Sequence, residues 1–164
     1  MAREILSEHE LTPAIYSHPK AGIGKWASLV RIIHPLTGET FWPQELPQDE
    51  AAFSICVTEF AGKPDDDYNA IVGTAVGLHF DPRQLLAEGR LRTYKFSKDA
   101  PEMTEVHVTN VDEVPHAMAP FQGRIVVGVG RYLRIHDLGR KNLLRKCESK
   151  VSRVVFPLQA TWMS

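Results

Sequence analysis

From Pro120 to Cys147 the chain changes direction twice within twenty-eight residues, and that spacing constrains the fold more than any other feature. Residues 124–128, 132–137 and 142–147 are rich in Val, Ile, Tyr and Leu, and turns centred on Gly130-Arg131 and Leu138-Gly139-Arg140-Lys141 separate them. Short β-branched or aromatic runs punctuated by glycine read as a tight antiparallel meander. Gly130 and Gly139 fall where the chain reverses and are expected to take positive φ, which costs glycine no Cβ clash. Repeated around an axis, such meanders form the blades of a β-propeller.

The rest of the chain has the same texture. Residues 26–33, 40–42, 51–60, 68–76, 90–97, 103–109 and 116–121 read as further strands, with turns at 34–38, 62–67 and 98–101. Pro43 and Pro47 are expected to end the second strand early, because proline cannot donate to a ladder. Along 103–109, Met103, Glu105, His107 and Thr109 face one way and Thr104, Val106 and Val108 the other. Two helical fragments are expected: one near the start, where Ile5, Leu6 and His9 share a face, and one turn capped by Asp81 with Pro82 in first position.

The fold class is therefore all-β, a fragment of a WD40-like β-propeller with about ten antiparallel strands in two to three blades. A closed ring needs at least about four blades of four strands, so ten strands amount to two and a half. Sheets left open in this way present apolar faces and strand edges that need a neighbour. The chain is expected to be a piece of a larger scaffold or a truncated product. Its organisation reads as a mobile leader over 1–24, a partial propeller over 25–150 and a divergent tail over 151–164.

A chain of 164 residues is one domain's worth, and 43% hydrophobic with 24% charged residues fits a globular protein. The net charge of -1 conceals an asymmetry: residues 123–153 hold nine Lys or Arg against Asp137 and Glu148, which leaves +7. Cys56 and Cys147 form no CxxC pair and lie near no His at metal-ligand spacing, so both are expected to be buried free thiols. Residues 1–10 contain no apolar signal core, and no run approaches the roughly twenty apolar residues of a membrane span. A soluble intracellular protein with no membrane partner is the expectation.

The motifs that would carry chemistry fail on inspection. Gly22-Ile23-Gly24-Lys25 has Pro19 and Trp26 where a phosphate loop needs glycine and Ser or Thr. Gly128-Val129-Gly130 has Leu133 in place of the third glycine of a dinucleotide fingerprint, and a strand follows it. His79, Asp81, His136 and Asp137 are accompanied by no nucleophile elbow and no HExxH pair, so no catalytic residue is assigned. Asp137 is expected instead to accept hydrogen bonds at a strand end. The run Asp65-Asp66-Asp67 lacks the alternating ligands, glycine and distal Glu of a calcium loop and reads as a solvated turn. No metal and no cofactor are expected.

One cluster is carried forward: Arg131, Arg134, Arg140, Lys141, Arg145 and Lys146. Guanidinium groups on neighbouring strands and hairpin tips suit phosphates or acidic partner helices, both of which present oxyanions to a two-point fork. The competing reading is that basic residues at sheet edges prevent sheet-to-sheet aggregation. Tyr132 is the one aromatic among them, so sequence-specific RNA reading is not supported.

Several runs resemble one known family. They are Glu113-Val114-Pro115, Ala119-Pro120-Phe121-Gln122-Gly123-Arg124, Gly128-Val129-Gly130 and the stretch from Leu138 through Gly139, Arg140 and Lys141 to Glu148. Upstream they are Asp49-Glu50-Ala51-Ala52-Phe53-Ser54-Ile55-Cys56, Ile71-Val72-Gly73-Thr74-Ala75, Phe80-Asp81-Pro82-Arg83 and Arg92-Thr93-Tyr94-Lys95. Over residues 21–150 the chain resembles the splicing factor 3b subunit 3 family of triple-β-propeller scaffolds, whose wider group includes damaged-DNA-binding protein 1 and the large subunit of the cleavage and polyadenylation specificity factor. From Val151 it departs from the family pattern, as a read-through or altered exon would.

The resemblance implies a nuclear, non-enzymatic scaffold of the splicing factor 3b complex, acting in pre-mRNA splicing and branch-site recognition. It implies a helical-repeat subunit and a small subunit as partners. The relative that binds damaged DNA leaves a second reading open, a nucleic-acid-binding module with RNA contact through residues 123–153.

Overall fold

The computed structural model of the chain describes residues 21–61, 68–80, 88–96 and 102–153, the Trp42 side chain apart. Ten strands run through them: β1 Leu29–Ile33, β2 Thr40–Glu45, β3 Glu50–Thr58, β4 Asn69–Val76, β5 Glu88–Phe96, β6 Met103–Val111, β7 Pro115–Phe121, β8 Arg124–Val129, β9 Tyr132–Leu138 and β10 Leu143–Lys150. They form a two-stranded sheet β1-β2 and two four-stranded meanders, β3-β4-β5-β6 and β7-β8-β9-β10, every pairing antiparallel. This is the expected all-β propeller fragment of two and a half blades. The leader with Ile5, Leu6 and His9, the Asp81-Pro82 helical turn, the 62–67 and 98–101 turns and the tail beyond 153 lie outside the described residues. No helix among the described residues is long and apolar enough to cross a membrane.

The period-2 pattern assigns the faces. On β8, Ile125, Val127 and Val129 are fully buried and join Ile71 of β4, Leu91 of β5, Met118 of β7 and Leu143 of β10 in one cluster between the two four-stranded sheets. The other face of β3–β6 packs Ala70, Val72, Tyr94 and Met103 against Val30 of β1 and Leu46, the residue after β2. Each buried aliphatic side chain contributes about 1.5–3 kcal/mol, so the inter-sheet clusters hold the blades together.

The turns show which glycines matter. Gln122 and Gly123 both take positive φ, 48° and 68°, the pattern of a type I′ hairpin, and this turn joins β7 to β8. Gly130 has φ 54° and supplies the first position of the two-residue β8–β9 turn, as expected. Gly139 is not among the positive-φ residues, contrary to expectation. A Cβ there would lie 2.4 Å from the Asn142 carbonyl oxygen, so this position requires glycine for close approach rather than for handedness.

Two further expectations are corrected. Strand β2 continues through Pro43 to Glu45. Val30 pairs with Gln44 and Ile32 with Phe41, so Arg31 faces two residues, and Pro43 sits in that bulge where its missing N–H leaves no ladder bond unmade. Cys147 is exposed and only Cys56 is buried, both as free thiols. Strand β10 is the outer edge of its sheet, and beyond Leu143 all its residues are exposed, apolar or not.

Candidate functional site

The basic residues of the meander are sorted by the register of β9 and β10. Strand β9 turns Arg134 and His136 inward, to 4% and 3% exposure, on the side occupied by their register partners Val127 and Ile125. Arg134 donates from Nη2 to Asp112 Oδ2 at 2.5 Å and from Nε to Glu148 Oε2 at 2.6 Å, and its guanidinium carbon lies 5.4 Å from the Tyr132 ring centre. Burial works against its charge, but the two carboxylates outweigh it and raise its pKa above the ordinary value. Arg145 shares Glu148 at 3.0 Å. Lys146 and Arg124 flank Asp137 at 3.7 and 3.5 Å.

Arg134, Arg145 and Lys146 are thus engaged inside the chain. Arg131, Arg140 and Lys141 have no ion-pair partner among the described residues and are exposed. They do not form one patch. Arg140 and Lys141 lie in the β9–β10 loop, whereas Arg131 lies in the β8–β9 turn at the other end of β9. A seven-residue strand separates these ends by roughly 23 Å. Lys150, in register with Tyr132, and Arg153 join Arg131, where the Val151 N–H bonds the Arg131 carbonyl at 2.8 Å. Residues 142–147 alone as a strand did not bring Lys150 there; the strand's extension to Lys150 does.

A second charged centre has no counterpart in the sequence reading. Glu50 opens β3 with its side chain fully buried, and its carboxylate receives Arg92 twice, Nε to Oε1 at 2.7 Å and Nη2 to Oε2 at 2.8 Å. Thr74 donates to Oε1 at 2.5 Å, and Arg90 to Oε2 at 3.2 Å. Arg92 also reaches Glu105 at 2.6 Å, and Arg90 reaches Glu88. Burial pushes the Glu50 carboxyl up, but the hydrogen bonds from Arg92 and Thr74 and the charges of Arg92 and Arg90 hold it below its usual value. Both its oxygens are occupied, which leaves no lone pair aimed at a substrate. The network locks β3, β4, β5 and β6 together.

The residues that suggested acid-base chemistry are dispersed. His79 is exposed in the loop after β4. His136 and Asp137, adjacent on β9, point to opposite faces, and Asp137 Oδ1 accepts the Leu138 N–H at 2.9 Å, the strand-end role expected of it. Asp81 lies outside the described residues. Among the described residues no three His, Cys, Asp or Glu side chains are gathered as a metal would require.

Two four-stranded meanders packed face to face, with a half-blade on the outer side, define a β-propeller protein in which the buried charged groups Glu50, Arg92 and Arg134 are engaged in ion pairs inside the chain. Residues 27–161 match the family described as CPSF A subunit region, and the chain belongs to it. It is 47% identical over 150 residues, 92% of its length, to splicing factor 3B subunit 3 of Danio rerio. It is 40% identical over 88% of its length to spliceosome-associated protein 130 A of Arabidopsis thaliana. To splicing factor 3B subunit 3 of Drosophila melanogaster the identity is 39% over 92%. The chain spans about 12% of the length of each of these relatives.

Proposed function

We propose that the chain acts in pre-mRNA splicing as a non-enzymatic scaffold segment of a splicing factor 3b-type complex in the nucleus, contacting a helical-repeat subunit and a small subunit during branch-site recognition. The observation that carries this reading is the 47% identity to a splicing factor subunit across 92% of the chain. The internal pairing of Glu50, Arg92 and Arg134 is in keeping with it, because side chains engaged within the sheets give a rigid surface and leave contacts to the loops. The test is affinity purification of the chain, tagged at its own locus, from nuclear extract. Splicing factor 3b subunits should accompany it, and recovery free of every spliceosomal subunit would overturn the proposal.

A second reading rests on the exposed cations at the two ends of β9. Arg140 with Lys141, and Arg131 with Lys150 and Arg153, suit backbone phosphates of single-stranded RNA without base readout. Affinity for random RNA would then fall steeply with salt. Charge reversal at Arg140 and Lys141 would lower the log–log slope by about 1.4, two phosphate contacts at about 0.7 each. A slope unchanged by the reversal removes this reading.

A further inference from the structure

The loop that joins β1 to β2 is ordered from within. The two strands are last paired at Ile33 and Thr40, and residues 34–39 close the hairpin. His34 Nδ1 accepts the N–H groups of Leu36 at 3.3 Å and Thr37 at 3.2 Å. The His34 carbonyl accepts the Gly38 N–H at 2.9 Å, and Thr37 Oγ1 accepts the Glu39 N–H at 3.3 Å. The His34 N–H donates to the Glu39 carbonyl at 2.9 Å, and Gly38 takes φ 74°. Pro35 has no N–H, so every backbone donor of the loop is paired inside it. The His34 ring is itself set nearly perpendicular to Phe41 of β2, with 6.2 Å between ring centres.

On this frame stands Leu36, 90% exposed, with Ile33 at 47% and Pro35 exposed beside it. A single exposed leucine is ordinary on a protein surface. A leucine at the tip of a loop whose donors are all engaged is a preformed anchor, because the loop loses little further freedom on binding. Completing the half-blade would not cover it. Added strands pair along the edges of β1 or β2, whereas the tip lies beyond the last pair, at the end of the sheet.

We propose that the β1–β2 tip is a protein-docking loop that inserts Leu36, flanked by Ile33 and Pro35, into an apolar pocket between two helices of a helical-repeat partner. The inference deepens the scaffold reading and rests on it. The tip is narrow and convex, and the concave surfaces of helical repeats offer pockets of matching shape. Glu39 is exposed and has no ion-pair partner among the described residues, so it repels phosphates and disfavours RNA as the occupant. The same carboxylate calls for a lysine or arginine at the rim of the partner's pocket.

The test uses the 164-residue chain tagged at its own locus, with a diazirine analogue of leucine at position 36. It is irradiated in nuclear extract, and the cross-linked peptide is identified by mass spectrometry. That peptide should come from a helical segment of a co-purifying splicing factor 3b subunit. His34→Ala leaves position 36 in place but removes the acceptor of two N–H groups, and should cut the yield roughly tenfold. His34→Asn should restore most of it, because an asparagine side-chain oxygen accepts the N–H two residues on in an Asx turn.

Cross-links confined to the polypeptide that carries the loop, cross-links to nucleic acid, or a yield indifferent to His34→Ala would overturn the proposal. Subunits that co-purify with no cross-link at position 36 overturn the docking loop and leave the scaffold reading standing. Failure of every subunit to co-purify overturns both.

Discussion

Glu50 and Arg92 meet across the intervening strand β4 in a two-point contact, Nε to Oε1 at 2.7 Å and Nη2 to Oε2 at 2.8 Å, with the Glu50 side chain out of reach of solvent. The pair spans three strands of one blade and is closed by Thr74 and Arg90. Removing one partner leaves a buried charge uncompensated, which costs more than the pair contributes.

Arg92→Met is therefore expected to lower stability by about 3–5 kcal/mol. Arg92→Lys should recover only part of this, because a single ammonium cannot span both oxygens. The double variant Glu50→Leu with Arg92→Met should be more stable than Arg92→Met alone, since no orphan charge remains. Urea unfolding midpoints at constant slope measure all three, and equal stability of Arg92→Met and the native chain would refute the account.

Gly89 on β5 tests the close approach of backbone between the blades. A Cβ there would fall 2.3 Å from the Glu113 carbonyl oxygen and 2.9 Å from a Val111 methyl, and Glu113 lies in the short link from β6 to β7. That oxygen belongs to the main chain and cannot swing aside. Gly89→Ala should cost about 1–3 kcal/mol, whereas an ordinary glycine-to-alanine change within a strand interior is expected to help. A stabilised Gly89→Ala protein in thermal melting would show that the link yields freely.

Most of the ten strands were legible because β-branched, aromatic or leucine residues recur in short runs between turns rich in glycine, proline and polar residues. What stayed hidden depends on position within the sheet. Cys147 sits among strand residues like Cys56, and only β10's place at the sheet edge separates an exposed thiol from a buried one. Pro43 signals a strand end unless a bulge opposite Arg31 receives it. The Glu50–Arg92 pair joins residues 42 apart in sequence, and no local pattern marks it. The basic cluster was visible as composition, but its division into an engaged centre and two exposed ends follows from β9 turning Arg134 inward towards Asp112.

The thiols give a direct check of that sheet position. Burial pushes the Cys56 thiol up to about 11, so at neutral pH it is both inaccessible and protonated, while Cys147 is open to solvent. Under native conditions a maleimide or disulfide reagent should modify one thiol per chain, and peptide mapping should place it at Cys147. Cys56 should react at least about a hundredfold more slowly until the chain is unfolded. Equal labelling of both before unfolding would mean that the cluster between the blades is open.

Acid should loosen the packing between the blades before it breaks the buried ion pair. Burial, then the positive charges of Arg134 on the same strand and Arg145 opposite on β10, push His136 down to about 4 from 6.5. Burial also lowers His107, whose ring nitrogens have no hydrogen-bond partner among the described residues. A histidine with a depressed folded pKa binds its proton first in the unfolded chain. Its contribution is therefore complete above about pH 6.5 and is lost as pH falls towards 4. For His136 the loss by pH 5 is about 2 kcal/mol, from 1.36 kcal/mol per pKa unit. Glu50, also lowered, adds its own loss only as pH drops below its ordinary 4.5. Urea midpoints should fall steadily from pH 7 to pH 5, and His136→Gln should flatten that slope even if it lowers stability at pH 7. A native chain equally stable at pH 7 and pH 5 would show that His136 protonates without cost, which its burial between Arg134 and Arg145 forbids.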